Sequence, residues 1–118
     1  MSENEIFDIL AFMADSAHKI QERFSKIKAA KEFVSTPEGI ILLDAITMRL
    51  QVIGESVKRI QKINPGFLDK YPEVEWNKIA RLRDLVSHHY EQVDHEIIFD
   101  ICKNHVPILE QTLQKIMD

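Results

Sequence analysis

The stretch STPEGIILLDAITMRLQVIGESVKRIQKINPG, residues 35–66, decides the fold. Its apolar residues Ile40, Leu43, Ile46, Leu50, Ile53, Val57 and Ile60 recur in steps of three and four. That spacing lines one face of an α-helix, which turns once in about 3.6 residues. Ser35 and Glu38 stand in a capping-box relation, and Pro37 falls in the first turn, where its missing N–H costs nothing. Asn64-Pro65-Gly66 is a strong stop signal. The reading is one long helix with a seam-like apolar stripe, and such a stripe needs other helices to cover it.

The flanking sequence supplies them. Upstream, Ile6, Ile9, Leu10, Met13, Ala17, Ile20, Phe24 and Ile27 keep the same period. Ser2 with Glu5 forms a capping-box pattern, so a first helix is expected from residue 3 to about residue 24. SKIKAAKEFVS (25–35) either continues it or forms a short separate piece. Downstream, the link FLDKYPEVE (67–75) leads into a helix WNKIARLRDLVSHHYEQ (76–92). Asp94 is a good N-cap for HEIIFDICKN (95–104), with Ile97, Ile98 and Ile101 as its apolar side. Pro107 either kinks that helix or opens a last one, VPILEQTLQKIMD (106–118). No segment sustains the period-two alternation of a strand, and the 3 glycines and 4 prolines are too few for a turn-dense β fold. The expected architecture is an all-α up-and-down bundle of four to five helices in one domain over residues 1–118.

Composition narrows the function. The 118 residues carry a net charge of −4, which disfavours holding nucleic acid by broad phosphate neutralisation but leaves room for a local basic site. The single cysteine, Cys102, excludes an intrachain disulfide and a multi-cysteine zinc site; beside the run IIFDI it reads as a small buried hydrophobe. No apolar run approaches the ~18 residues of a membrane span. The N-terminus MSENEIFDIL is acidic where a secretory signal is basic, so a cytoplasmic protein without a membrane partner is expected.

Candidate chemistry concentrates in the helix at 76–92. Elsewhere there is no Gly-rich phosphate loop and no GxSxG, and Lys26, Lys28 and Lys31 read as a solvated helix face. The histidines (His18, His88, His89, His95, His105) include no HExxH, and adjacent His88 and His89 point about 100° apart on a helix. Neither a metal nor a cofactor is expected. On a wheel of about 100° per residue, Leu82, Leu85, Val86 and His89 share the side of Ile79. Asn77, Arg81, Asp84, His88 and Glu91 form a polar stripe opposite. Asp84 and His88 are an i, i+4 pair, so the carboxylate can bond the imidazole and favour its protonated form. Arg83 and His88 lie about 140° apart and about 7.5 Å along the axis. One helix cannot easily aim both at a single phosphorus atom, whereas two copies packed across a two-fold axis can. Taken alone, the same residues also fit a solvent-exposed charged stripe with His89 as a partly buried core histidine.

The stretch YPEVEWNKIARLRDLVSHHYEQVD (71–94) resembles the hallmark region of HepT-like proteins, a branch of the HEPN superfamily. That branch has a proline-containing lead, a tryptophan, Arg-x4-His-x-Tyr and a trailing Val-Asp. Here these are Tyr71-Pro72-Glu73, Trp76, Arg83/His88/Tyr90 and Val93-Asp94. Ile53-Gly54-Glu55-Ser56 is similar to the family's Ile-Gly-Glu-Ala. Ser56, Asp84 and Glu91 depart from the residues commonest at their positions, and none removes a named catalytic group. The resemblance implies an HEPN-like bundle, a symmetric homodimer, and a metal-independent endoribonuclease that needs no cofactor. Arg83 and His88 are its expected catalytic residues, with Asp84 and Tyr90 supporting them. It further implies the toxin half of a bacterial toxin–antitoxin module with RNA as substrate. The partner would be a minimal nucleotidyltransferase antitoxin that transfers AMP to Tyr90. The competing expectation is a non-catalytic helical subunit that binds substrate for, or scaffolds, a nucleotidyltransferase.

Overall fold

The structure is a computed structural model that describes residues 2–84 and 93–118. All regular structure among the described residues is helical: α1 (Ser2–Phe24), α2 (Glu32–Ser35), α3 (Pro37–Ile63), a 3₁₀ turn (Leu68–Lys70), α4 (Trp76–Ala80), a second 3₁₀ turn (Arg81–Arg83), α5 (His95–Asp100), a π-turn (Ile101–His105) and α6 (Val106–Met117). α5, the π-turn and α6 follow one another without a break, and this is the expected all-α bundle.

The long seam on α3 holds the bundle together. Ile46, Leu50, Ile53, Val57 and Ile60 are fully buried, and α1 covers them with Ile6, Ile9, Leu10, Met13, Ala17 and Ile20. On its other flank α1 packs against α6, where Gln21 Nε2 donates to Glu110 Oε1 and His18 approaches the same carboxylate at 3.6 Å. Each buried aliphatic side chain contributes about 1.5–3 kcal/mol relative to exposure, so this seam outweighs any surface pairing in the fold.

Several local expectations need adjustment. The cap of α3 is Thr36, whose Oγ1 accepts from Gly39 N at 2.9 Å; Ser35 instead ends α2, so the register lies one residue later than the capping-box pattern suggests. Ile40 belongs to the seam by spacing but is exposed; at this end of α3 the buried side passes through Gly39, on which the Glu32 backbone of α2 rests, and Leu43. Ile97 is exposed while Ile98 is fully buried, so the apolar side of α5 is narrower than three isoleucines imply. Lys26, Lys28 and Lys31 lie in the connection between α1 and α2 rather than on a helix face. There Glu32 Oε1 accepts from the backbone N–H of Lys28 (2.5 Å) and Ala29 (3.3 Å), which holds its carboxyl below the usual range.

Pro107 stands at the start of the last helix. It occupies the first turn of α6, and the turn before it widens: Val106 N–H bonds Ile101 O, five residues back. The missing N–H and the ring of proline disrupt α-helical pairing at this point, and a π-turn absorbs the mismatch without ending the helical run. Cys102, in this turn, is buried as expected, and burial pushes its thiol up to about 12.

Candidate active site

The approach to the site is pinned first. Trp76 is buried, and its Nε1–H donates to Tyr71 O at 2.8 Å, so the indole ties the 71–75 link to the start of α4. The tryptophan and the Tyr-Pro lead of the sequence pattern are thus two ends of one contact.

After Ala80 the α-helix tightens. Arg81 N–H bonds Asn77 O and Ile79 O, and Asp84 N–H bonds Arg81 O and Leu82 O. Residues on a 3₁₀ turn advance by about 120° rather than 100°, so the continuous wheel expected for 76–92 does not hold through this point. Leu82 still faces inward and Arg81 outward, and Arg83 is half-buried. The tightening coincides with an unusually close approach to α3. A Cβ on Gly54 would stand 2.6 Å from Arg83 N and 3.0 Å from both Ala80 O and Ile79 O. Only glycine lets the backbone of the turn rest on the helix there.

Each residue of Ile53-Gly54-Glu55-Ser56 therefore has a physical task. Ile53 fills the core and Gly54 admits the turn. Glu55 reaches the guanidinium of Arg83, Oε1 to Nη1 at 4.0 Å. Ser56 is buried and returns its hydroxyl to Val52 O at 3.0 Å. Arg83 Nε also meets Asp84 Oδ1 at 3.5 Å. Two carboxylates from different elements thus orient one partly exposed cation, a group that stays charged at any physiological pH.

The remaining sequence-predicted residues divide as follows. His88 and Tyr90, with His89, lie outside the described residues, and so does the expected bond from Asp84 to His88. Among the described residues Asp84 pairs with Arg83. Asp94 is a cap: its Oδ1 accepts from Glu96 N at 2.9 Å and Ile97 N at 3.2 Å, which starts α5 immediately after the 85–92 segment. Among the described residues no cluster of His, Cys, Asp and Glu is arranged to hold a metal ion.

Two features escaped the sequence reading. The Glu55–Arg83 contact joins residues far apart in the chain, and only the Gly-Glu pair in the family pattern hinted at it. A groove of about 340 Å³ has an aliphatic floor of Val74, Ile79, Leu82, Ile101 and Ile108, with Asn104 at its rim. Its walls come from two separate stretches of chain, 73–82 and 101–108, so no local pattern announces it.

Residues 13–116 match the family model described as "Ribonuclease HepT-like". The chain is 36% identical over 102 residues to "Putative RNase MJ0127" of Methanocaldococcus jannaschii, covering 85% of this chain and 79% of that one. It is 33% identical over 87 residues to "Putative RNase TTE0752" of Caldanaerobacter subterraneus subsp. tengcongensis, covering 74% and 72%. It is 32% identical over 72 residues to "Probable ribonuclease HepT" of Thermococcus cleftensis, covering 61% and 63%. No solved structure matches the chain.

Proposed function

The chain belongs to the HepT-like ribonuclease family, and from that premise we propose that it is the toxin of a toxin–antitoxin module. Its activity is metal-independent endonucleolytic cleavage of RNA. The ribose 2′-OH attacks the adjacent phosphorus, the P–O5′ bond breaks, and the products carry a 2′,3′-cyclic phosphate and a free 5′-OH. The proton of the 2′-OH is taken up by a base, and the departing O5′ receives one. His88, with an unperturbed pKa of about 6.5, suits proton transfer near neutrality. Arg83 supplies a fixed positive charge that can fork two phosphate oxygens as negative charge builds in the transition state. DNA, lacking the 2′-OH, is not cut.

The observation that carries this reading is the way Arg83 is held: its turn rests on Gly54, and Glu55 and Asp84 flank its guanidinium. A side chain anchored at this level is suited to bind one anion in one place.

The active unit is a symmetric homodimer in which Arg83 and His88 of both copies converge on one cleft. The outer side of α3 supports this. Ile41 and Met48, 67% and 56% exposed, lie seven residues apart on one face, and that face continues toward Glu55 and the Arg83 turn. An exposed apolar stripe beside a candidate site is a natural surface for a second copy. The cognate partner is a minimal nucleotidyltransferase that adds AMP to Tyr90, placing a bulky anion where RNA phosphate would bind.

Two measurements test the assignment. Expression of the chain alone should arrest growth, and Arg83→Ala should abolish that arrest while the purified variant stays folded. Light scattering at micromolar concentration should return twice 13.8 kDa. Undiminished toxicity of a folded Arg83→Ala protein contradicts the catalytic role, and a monomer contradicts the composite cleft.

A further inference from the structure

We infer that the C-terminal half of α3, together with the Arg81 turn, forms a cationic track that carries the RNA strand away from Arg83. The inference rests on the ribonuclease reading above and extends it to how the substrate backbone is held.

Between Glu55 and Asp69 the chain carries Lys58, Arg59 and Lys62 and no acidic residue, although the whole chain has a net charge of −4. All three are exposed on α3. Lys58 stands one helical turn beyond Gly54, the residue on which the Arg83 turn rests, and Lys62 one turn further. Gln61 Nε2 donates to Asn77 Oδ1 at 3.2 Å, which fixes α4 against this flank of α3. Arg81, whose backbone N–H bonds Asn77 O, is exposed on the turn that follows α4. Lys58 and Lys62 therefore share a face of α3 that begins beside the Arg83 turn and extends over about 10 Å, with Arg59 on the neighbouring face and exposed Arg81 on the adjoining turn.

Most other basic groups close to the site are already engaged: Lys78 pairs with Glu75 at 3.3 Å, and Lys115 with Glu73 at 2.9 Å. Among the described residues, Lys58, Arg59, Lys62 and Arg81 have no carboxylate within 4.0 Å. A basic residue in the last turn of a helix offsets the macrodipole, which accounts for Lys62 alone. It does not account for Arg81, which sits on another element. Cations left without carboxylates and continuous with a phosphate-binding arginine match a polyanionic strand. A phosphate run also fits the composition, because the neutralisation needed is local while the chain as a whole carries a net charge of −4.

The test uses the full chain and a dodecameric oligouridylate with 2′-O-methyl groups, which cannot be cleaved. Its binding is measured as a function of salt for wild type and for Lys58→Gln/Lys62→Gln/Arg81→Gln. These side chains are exposed, and thermal melting checks that the fold is kept. The expected result is a loss of affinity of at least tenfold at low salt. The slope of log K against log salt should become shallower by about 2, since each lost phosphate contact on a single strand removes ~0.7. The Lys58→Arg/Lys62→Arg variant should retain both values. Unchanged affinity and slope in the folded triple variant overturn the track, and so does failure of the wild type to bind. Unchanged RNA binding with lost binding of polyglutamate would reassign these cations to an acidic protein, which also overturns it. Cleavage of unmodified RNA is scored separately. A nuclease that keeps its activity without Arg83 defeats the assignment of the site, while the slope still decides the track.

Discussion

A side chain on Gly54 would begin 2.6 Å from the backbone nitrogen of Arg83. The glycine of one helix and the arginine of a distant turn are thus one structural unit, and the position of the guanidinium depends on a hydrogen atom where other residues carry a carbon. Gly54→Ala would raise the helix propensity of α3 by up to about 1 kcal/mol. The atoms it would strike are backbone, so the turn must move, at a cost of about 1–3 kcal/mol. The expected outcome is a lower melting temperature and a loss of RNA cleavage greater than the stability change explains. A more stable, fully active Gly54→Ala protein would show that the close approach has no bearing on the site.

Asp94 follows the Arg-x4-His-x-Tyr pattern closely enough to be mistaken for part of the chemistry. Its carboxylate is occupied with Glu96 N and Ile97 N. Asp94→Ala should cost about 0.5–2 kcal/mol in denaturant unfolding, and Asp94→Ser should restore most of it. A collapse of cleavage with unchanged stability would move Asp94 from cap to active site.

Thr47 Oγ1 is a buried hydroxyl that finds no hydrogen-bond partner among the described residues. Burying an unsatisfied polar group is unfavourable, and valine has nearly the same shape. Thr47→Val is therefore expected to be neutral or to stabilise by up to about 1 kcal/mol, read from the unfolding midpoint. Destabilisation by more than that would mean the hydroxyl has a task in the native protein.

Burial pushes the Cys102 thiol from 9.0 up to about 12. Between those values the unfolded chain has released the proton and the folded chain still holds it, so the unfolded state binds fewer protons and stability falls as pH rises. Below pH 9 the thiol contributes no pH dependence. Native protein at pH 8 should not react with Ellman's reagent, and Cys102→Ala should flatten the loss of stability above pH 9. Rapid labelling of the folded chain would contradict the burial.

How far the sequence foretold these features depends on the range over which each is encoded. The α3 seam from Leu43 onward, its stop at Asn64 and the Asp94 cap rest on spacing and on side chains within a few residues, and all three appear where the sequence places them. The Thr36 cap falls one residue later than the capping-box pattern because Ser35 is taken up as the last residue of α2 and Pro37 opens α3, which leaves Thr36 as the residue before the helix. The 3₁₀ turn at Arg81–Arg83 had no local signal, since Arg-Leu-Arg is compatible with an α-helix. It tightens where it meets Gly54, a long-range contact that helical periodicity cannot report. Arg83 was legible as a candidate, and its carboxylate partner Glu55 was legible only through the resemblance. The roles of His88 and Tyr90 still rest on the sequence pattern alone.

The central claim is that Arg83 and His88 drive attack of a ribose 2′-OH without a metal ion. The most direct measurement incubates purified wild type, Arg83→Ala and His88→Ala with 5′-labelled RNA in EDTA, alongside the same RNA with a 2′-deoxy sugar at the cleaved position. The account predicts that wild type yields a 2′,3′-cyclic phosphate, that the deoxy substrate stays intact, and that each folded variant loses at least about 100-fold in rate. Cleavage that continues in either folded variant, or that cuts the deoxy substrate, would contradict it.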